Sequence, residues 1–371
     1  MKTCGIICEY NPFHNGHKYQ IEQARKKSNA DIMIAVMSGH FTQRGEPAII
    51  DKWKRAEAAV RNGIDLVIEL PYIFSTQAAT SFAHGGVHLL KLCKIDAISF
   101  GSECGNLENL QDIAATSVNP DHLRESLNQG MSYPRAYSLL TANMAPNDIL
   151  AVSYLKEIQD TSIEPILIQR TGGYLDPEIK TNASALAIRT ALKDGSDLMD
   201  STPMENILRA SETVRLEQFW PYIRTFLLMT PSSVLSQYFL FSEGIESHLK
   251  KNAQTNSNID SFLKNSTTYR YTTSKIRRCL LQTMMQIQKN TAKQLGMPDT
   301  LRVLAMNDKG RNWLSSKRKS NIKIASRFAD IPKPWRDMEY QSTLLYTSVL
   351  SNQERERICH REIQGISYIK D

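Results

Sequence analysis

Short apolar runs alternate with longer stretches of helical spacing through the first half of the chain. "TCGIICE", "DIMIAVM", "DLVIEL" and "DAISFG" are four such runs, the last ending at Gly101. Continuous apolar runs of this length are the pattern of strands buried on both faces. Between them, Gly16 to Lys27, Asp51 to Asn62 and Ala78 to Leu92 have helical spacing, and Asp51 is placed to cap the second. Helices follow at Leu107–Ala115 and Tyr133–Asn143, then "NDILAVSYLKEI", a fifth strand "EPILIQR", and a helix from Ser184 to Lys193 opened by "NAS". Strands alternating with helices predict an α/β fold, a Rossmann-like parallel sheet covered on both faces.

Past residue 200 the pattern changes. "EQFWPYIRTFLLM" and "SKIRRCLLQTMMQIQ" read as amphipathic helices. One α/β island interrupts them: "LRVLAMN" as a strand, "KGRNWLSSKRK" as a helix, "NIKIA" as a strand. The breakers in "DGSDLMDSTP" mark a boundary near 194–202. The expected organisation is therefore a catalytic-type domain over 1–195 and a mainly helical, basic domain over 196–371, with a small α/β element near 300–325.

With 371 residues, 41% of them hydrophobic, the chain can bury a substantial core. The net charge of +7 suits a polyanionic partner but does not require one. The six cysteines, Cys4, Cys8, Cys93, Cys104, Cys279 and Cys359, contain no CxxC pair and no disulfide framework, which fits a cytoplasmic location. Cys4 and Cys8 read as core residues of the first strand. No apolar run reaches the length of a membrane span, and the first residues do not form a signal sequence.

The loop after the first strand, "EYNPFHNGH", carries the chemistry. In an open parallel sheet, ligands bind beyond the carboxyl ends of the strands. Here the turn runs into a helix, whose first N–H groups and positive dipole end hold phosphate. Gly16 lets an anion approach the backbone, and His14 and His17 can both donate hydrogen bonds to it. Neither GxxxxGK[ST] nor GxGxxG occurs, so a P-loop and a dinucleotide fingerprint have no support. Two histidines three apart could also share zinc, but no third ligand follows at a recognisable spacing, and no metal site is expected. A further reading leaves both as polar loop residues.

"PFHNGH" matches the HxGH signature of the HIGH-motif nucleotidyltransferases. Together with "AVMSGHFTQRGEPAIIDKWKRAEAA", "DLVIELP", "SFGSE", "NDILAVSYLK", "RYTTSKIRRCLLQTM" and "LRVLAMNDKGRNWL", it resembles the bacterial tRNA(Met) cytidine acetate ligases over most of the chain. The resemblance implies a ligase that uses ATP and acetate to form N4-acetylcytidine at the wobble position of elongator tRNA(Met), through an acetyl-adenylate. It implies an ATP site built from Ile7, Cys8, Glu9, Tyr10, Asn11, Pro12, Phe13, His14, Asn15, Gly16, His17, Lys18, Tyr19 and Gln20, with His14 and His17 at the α-phosphate. Gly101, Asn147 and Arg170 match further ATP contacts. "NASALAIR" matches a second element, in which Ser184 and Arg189 would meet the outer phosphates; Leu186 stands where a hydroxyl is commoner. Asp148 and Ala151 depart from the family's Asn and Gly, so either Asn147 or Asp148 faces the nucleotide. Magnesium is expected with the nucleotide.

Two features stay open on the residues alone. The loop "SGHFTQRGEPAIIDKWKRA" holds His40, Gln43, Arg44, Glu46, Lys52 and Arg55; Arg44 and Lys52 suit acetate, pyrophosphate or tRNA, while Lys52 and Arg55 also read as a solvated helix face. "YRYTTSKIRRCL" mixes aromatics with Arg270, Lys275, Arg277 and Arg278, a pattern suited to single-stranded RNA, and "KGRNWLSSKRK" adds Lys309, Arg311, Trp313, Lys317, Arg318 and Lys319. Charge runs of this kind also occur as plain solvated faces. Two rival functions remain: an adenylyltransferase acting on a small phosphorylated acceptor, and a non-catalytic RNA-binding protein that keeps ATP as a structural ligand.

Overall fold

The computed structural model describes residues 1–116, 125, 129, 131, 144–170, 183–317, 320 and 322–370. The helix expected at Tyr133–Asn143, and Arg318 and Lys319, lie outside them. All five expected strands of the first half form: β1 (Thr3–Cys8), β2 (Ile32–Ser38), β3 (Leu66–Leu70), β4 (Ala97–Ser102) and β5 (Glu164–Gln169). They lie in the order β5-β4-β1-β2-β3, every neighbouring pair parallel. The chain thus winds from β1 outward through β2 and β3, then returns to the other side of β1 for β4 and β5. That reversal leaves a crevice at the carboxyl ends of β1 and β4.

Side chains of one strand sort by parity between two cores. In β2, Ile32, Ile34 and Val36 enter one cluster, and Met33, Ala35 and Met37 the other. A period of two on a sheet covered on both faces turns every position apolar, which is why the run shows no polar alternation. Cys4 and Cys8 are buried in the second cluster, as expected of core residues. Helix α1 (Asn15–Ser28) follows β1, and α2 (Lys52–Arg61) is capped by Asp51, whose carboxylate accepts from the Trp53 and Lys54 N–H groups at 3.0 and 3.1 Å.

The second half is mainly helical, with Leu216–Met229, Ile245–Thr255, Ile259–Ser266 and Thr273–Met285 packed together. The strand expected from "LRVLAMN" forms as β6 (Thr300–Met306), but it does not stand apart. It pairs antiparallel with β3 and so extends the first sheet. β7 (Lys323–Ala325) and β8 (Ser367–Tyr368) share the far edge of β6, one along each half. Leu301 and Val303 lie in the first core and Leu304 and Ala305 in the second, so burying both faces of β6 requires the sheet as a platform.

A buried ion cluster locks this extension in place. The Lys52 ammonium lies 2.6 Å from Glu69 Oε1 of β3 and 2.9 Å from Glu362 Oε1 of the helix Asn352–Ile363. Arg302 of β6 reaches the same two carboxylates at 2.7 Å each. A third carboxyl, Glu339, accepts the Tyr72 N–H at 2.7 Å; burial and the nearby Glu69 charge push it upward, toward the neutral acid. Two cations therefore face two carboxylates, with the third carboxyl neutral. Burial opposes ionisation of Glu362, but Arg302 and Lys52 hold it low. Among the described residues, no helix is long and apolar enough to cross a membrane.

Candidate active site

The crevice at the sheet's reversal is an open cavity of about 170 Å³. The turn leaving β1 makes one wall. Tyr10 is buried there in the left-handed region (φ 48°), a conformation that costs a non-glycine residue about 1 kcal/mol or more. Packing holds it: its ring meets Phe13 at 4.9 Å and His17 at 4.8 Å between centroids.

His14 and His17 cap the start of α1 reciprocally. His14 Nδ1 accepts the Gly16 N–H at 3.1 Å, and His17 Nδ1 accepts the His14 N–H at 3.2 Å. The rings stack, with centroids 3.7 Å apart. This geometry explains the glycine between them. A Cβ at Gly16 would lie 2.9 Å from His14 Cε1, so any side chain there would displace the ring. It also sets the tautomer. With Nδ1 of each ring used as an acceptor, the proton of each neutral imidazole sits on Nε2. Burial, then the charges of Arg170 and Arg189, lower His14 to about 3. Burial, His14 and Arg170 take His17 well below its ordinary value. The pair is therefore neutral at pH 7 and presents two Nε2–H donors.

This neutrality has a measurable consequence. In the unfolded chain His14 titrates near 6.5, while in the folded protein it stays neutral to about 3. Between those values the unfolded state binds more protons, so the His14 contribution is fully present above pH 6.5 and is lost as pH falls. Each such histidine accounts for up to about 1.4 kcal/mol per pH unit. We expect His14→Asn, which retains an acceptor for the Gly16 N–H, to flatten the fall in unfolding free energy between pH 6.5 and 4 relative to the parent. Equal slopes in denaturant titrations across that range would contradict the neutral assignment.

The other walls come from distant segments. Ile7, Cys8, Glu9, Tyr10, Asn11, His14, His17 and Gln20 line the cavity from β1, its turn and α1. Pro12, Phe13, Asn15, Gly16, Lys18 and Tyr19 are not among its lining residues; Phe13 packs against the His17 ring, Asn15 Nδ2 donates to the Asp200 carbonyl at 2.7 Å, and Lys18 and Tyr19 are exposed. Gly101, Asn147, Arg170, Ser184 and Arg189 all reach the cavity. Ser184 is both a lining residue and the N-cap of the helix Ala185–Asp194, its hydroxyl accepting the Ala187 N–H at 3.1 Å. Arg189 donates to the Asn11 carbonyl at 2.7 Å and so ties that helix to the β1 turn.

Packing points Asn147 and Asp148 in different directions. Asp148 is buried and turned toward the β4 exit, where its carboxylate accepts from Ser102 Oγ at 2.5 Å and the Glu103 N–H at 3.0 Å. Asn147 lines the cavity instead. The Asp148 carboxylate thus stabilises a turn and stays off the cavity wall.

Residue-by-residue reading had missed the apolar wall: Phe82, Phe100, Leu150 and Tyr154. A signal existed, because Asn147, Leu150 and Tyr154 fall on one face of the helix Pro146–Ile158. The readings of Lys52 and Arg55 need correcting. Neither lies on a solvated helix face or at the cavity; both are fully buried. Lys52 belongs to the ion cluster. Arg55 donates to the carbonyls of Glu9 (2.6 Å), Ser38 (3.2 Å), Gly39 and Ile50 (3.2 Å), and so fixes the exits of β1 and β2. Gln43 and Arg44 do line the cavity. Glu9 Oε1 accepts the Gln43 N–H at 2.7 Å; burial pushes its carboxyl upward against the pull of Arg44.

Of the four cations read as RNA contacts, Arg270 is exposed, and Lys275 and Arg277 are half-buried. Lys275 pairs with Glu243 at 3.2 Å, and Arg277 pairs with Glu46. Arg278 is buried and donates to the Gln43 and Gln77 carbonyls at 3.2 and 3.1 Å. It anchors the loop that carries Arg44, and that role removes it from any RNA-facing surface. Among the described residues no group of three histidine, cysteine or acidic side chains could hold a metal ion.

A family model described as HIGH Nucleotidyl Transferase matches residues 1–361. A tRNA(Met) cytidine acetate ligase of Limosilactobacillus reuteri is 39% identical over 334 residues, covering 86% of this chain and 88% of its own. The enzyme of the same name from Oceanobacillus iheyensis is 32% identical and covers 98% and 99%. The apo crystal structure of Thermotoga maritima TmcAL superposes with a TM-score of 0.91 at 31% identity, and that protein bound with alpha-thio ATP gives 0.89 at 30%, each over the full length of both chains.

Proposed function

Since the chain belongs to the tRNA(Met) cytidine acetate ligases of the HIGH nucleotidyl transferase family, we propose that the cavity at the β1 turn is where ATP and acetate react, and that N4-acetylcytidine at the wobble position of elongator tRNA(Met) is the product. One observation carries this reading: two stacked, neutral histidines at the start of a helix, both held with Nε2–H free of the capping bonds, beside Arg170 and Arg189.

In the first step an acetate oxygen attacks the α-phosphorus and pyrophosphate leaves. His14 and His17 donate to the α-phosphate oxygens as their charge rises, and the α1 dipole adds to that field. Neutral donors suit this task, because they hold the anion without trapping it as a tight ion pair. Arg170, Ser184 and Arg189 hold the outer phosphates, and the Phe82–Leu150–Tyr154 wall takes the adenosine. In the second step the cytosine N4 amine attacks the carbonyl of acetyl-adenylate, the acyl C–O bond breaks, and AMP leaves with the charge. The amine is a weak nucleophile, so the cavity must exclude water. No protein cage for magnesium appears among the described residues. The ion would arrive on the triphosphate, and no step is assigned to it.

Gly101 fits the adenosine side. A Cβ there would touch only the Arg170 side chain at 3.5–3.7 Å and the Ile168 carbonyl at 4.0 Å, ordinary contacts. Protein packing therefore does not demand glycine, which supports a ligand running close to the backbone there. We expect Gly101→Leu to weaken ATP binding at least about tenfold, a loss of about 1.4 kcal/mol, with an unchanged unfolding midpoint. Retained affinity would move the nucleotide elsewhere. The division of labour belongs to the same proposal: 1–195 performs the chemistry in the cytoplasm, and 196–371 contacts tRNA through Arg270, Lys275 and Arg277.

The deciding assay mixes the protein with ATP, labelled acetate and tRNA. Label in the tRNA, with AMP and pyrophosphate released, supports the ligase. AMP appearing on a small phosphorylated acceptor would support the adenylyltransferase, and absence of turnover the RNA-binding reading.

A further inference from the structure

A second cavity, of about 200 Å³, opens beside the first, and the two share a wall: Leu186 and Arg189 line both. Across from the helix Ala185–Asp194 stand residues of the helical half, Arg215, Leu216, Leu263 and Arg277. The lining brings four cations, Arg189, Lys193, Arg215 and Arg277, against three carboxylates, Glu46, Glu217 and Asp260. Two of the cations are matched: Lys193 lies 3.0 Å from Glu217, and Arg277 pairs with Glu46. Arg189 stands 3.9 Å from the same Glu46. Arg215 forms no ion pair among the described residues; its guanidinium makes only long contacts, 3.3 Å, to the Arg189 carbonyl. Burial lowers it, against the pull of the nearby Glu217 and Asp194 carboxylates.

The chemistry of the second step needs such a place. The acyl carbon of the adenylate forms at the α-phosphate, near the histidine pair. Its acceptor is a planar base carrying an amine, attached through a ribose to a phosphate. The side already filled by adenosine is closed to it. Once pyrophosphate has left, a neighbouring cavity reached past Arg189, with Leu186 on the shared wall and a guanidinium that forms no ion pair among the described residues, has the required form.

We propose that this second cavity receives the acceptor nucleotide, unstacked from its strand, with Leu186 against the base and Arg215 on the flanking phosphate. The inference rests on the ligase reading and adds the place where RNA meets the acyl group. Aromatic base surface against aliphatic side chains and a bidentate guanidinium on phosphate are the two contacts that a splayed nucleotide offers.

Two variants of the full chain test it. Arg215→Ala removes the guanidinium, with Arg215→Lys as the partial rescue. Thr190→Trp places a large ring in the second cavity from an exposed position that does not line the first. For each, ATP affinity is titrated directly, and KM for tRNA and the inhibition constant of pyrophosphate are measured in acetyl transfer. We expect ATP affinity to hold within twofold, and KM for tRNA to rise about tenfold or more in both variants, the size of one lost charge-assisted hydrogen bond; Arg215→Lys recovers part of the loss. An unchanged KM for tRNA overturns the assignment. Weakened pyrophosphate inhibition with unchanged KM would also overturn it and make the cavity an exit for the leaving group. If the parent protein transfers no acetate to tRNA, the ligase reading itself falls, and this inference with it.

Discussion

His17→Asn should slow acetate-dependent chemistry by roughly 100- to 1,000-fold while leaving the fold intact. The asparagine side-chain oxygen can take the place of Nδ1 and accept the His14 N–H, so the reciprocal cap survives. What disappears is Nε2–H, one of the two donors proposed to meet the α-phosphate. Removing one preorganised donor to a developing anion costs roughly 100- to 1,000-fold in turnover. The loss should fall on the rate of acetyl transfer, with tRNA affinity, read by a binding titration, changed less than about twofold, well under the ~1.4 kcal/mol of a tenfold effect. His17→Ala should be worse, because it also removes the cap and the contacts to Tyr10 and Phe13. If His17→Asn turned over at the parental rate, the imidazole pair would be a structural cap and nothing more. If it lost tRNA affinity in proportion, the separation between the cavity and the RNA surface would fail.

Lys52→Met should be the most destabilising single change outside the apolar core. It leaves Glu69 and Glu362, both fully buried, with Arg302 as their remaining close cation. Two carboxylates then face one guanidinium without solvent. Breaking a buried pair from one side costs about 3–5 kcal/mol, most of it the penalty for the charge left behind. Unfolding in denaturant should show that loss, and adding Glu362→Gln should restore part of it, since the orphaned charge is then gone. Had Lys52 met acetate or pyrophosphate, the change would appear in KM with stability intact; that pattern would refute the buried-cluster account. The same variants probe how β6 and the helix Asn352–Ile363 are held to the sheet, because Lys52, Arg302 and Glu362 come from three separate parts of the chain.

The local features were legible because their causes are local. The apolar runs of β1 to β4 follow from burial on both faces, and the Asp51 cap lies within three residues of its donors. The histidine turn is the extreme case: His14, Gly16 and His17 make the cap and the donor pair among themselves, so four consecutive residues specify the chemistry. The helix Pro146–Ile158 was legible from its spacing too, although the cavity-facing set Asn147, Leu150 and Tyr154 was not picked out. Identity to known ligases gives the family, but the turn itself is written in the short range.

What the chain alone determined, then, was the sheet, its reversal-side turn and the capped histidine pair at the start of α1. Tertiary structure decided the fate of the charges. "DKWKRAEAAVRN" has the composition of a solvated helix, yet Lys52 meets carboxylates 17 and 310 residues away and Arg55 clasps carbonyls up to 46 residues back. Arg278 closes on Gln43 across 235 residues, and β6 finds β3 from the other end of the chain. Whether a lysine or arginine faces water or a buried carboxylate depends on partners at sequence separations that no periodicity encodes. The energy that settles it is the difference between hydration and a desolvated ion pair, and that difference exists only once the chain has closed around it.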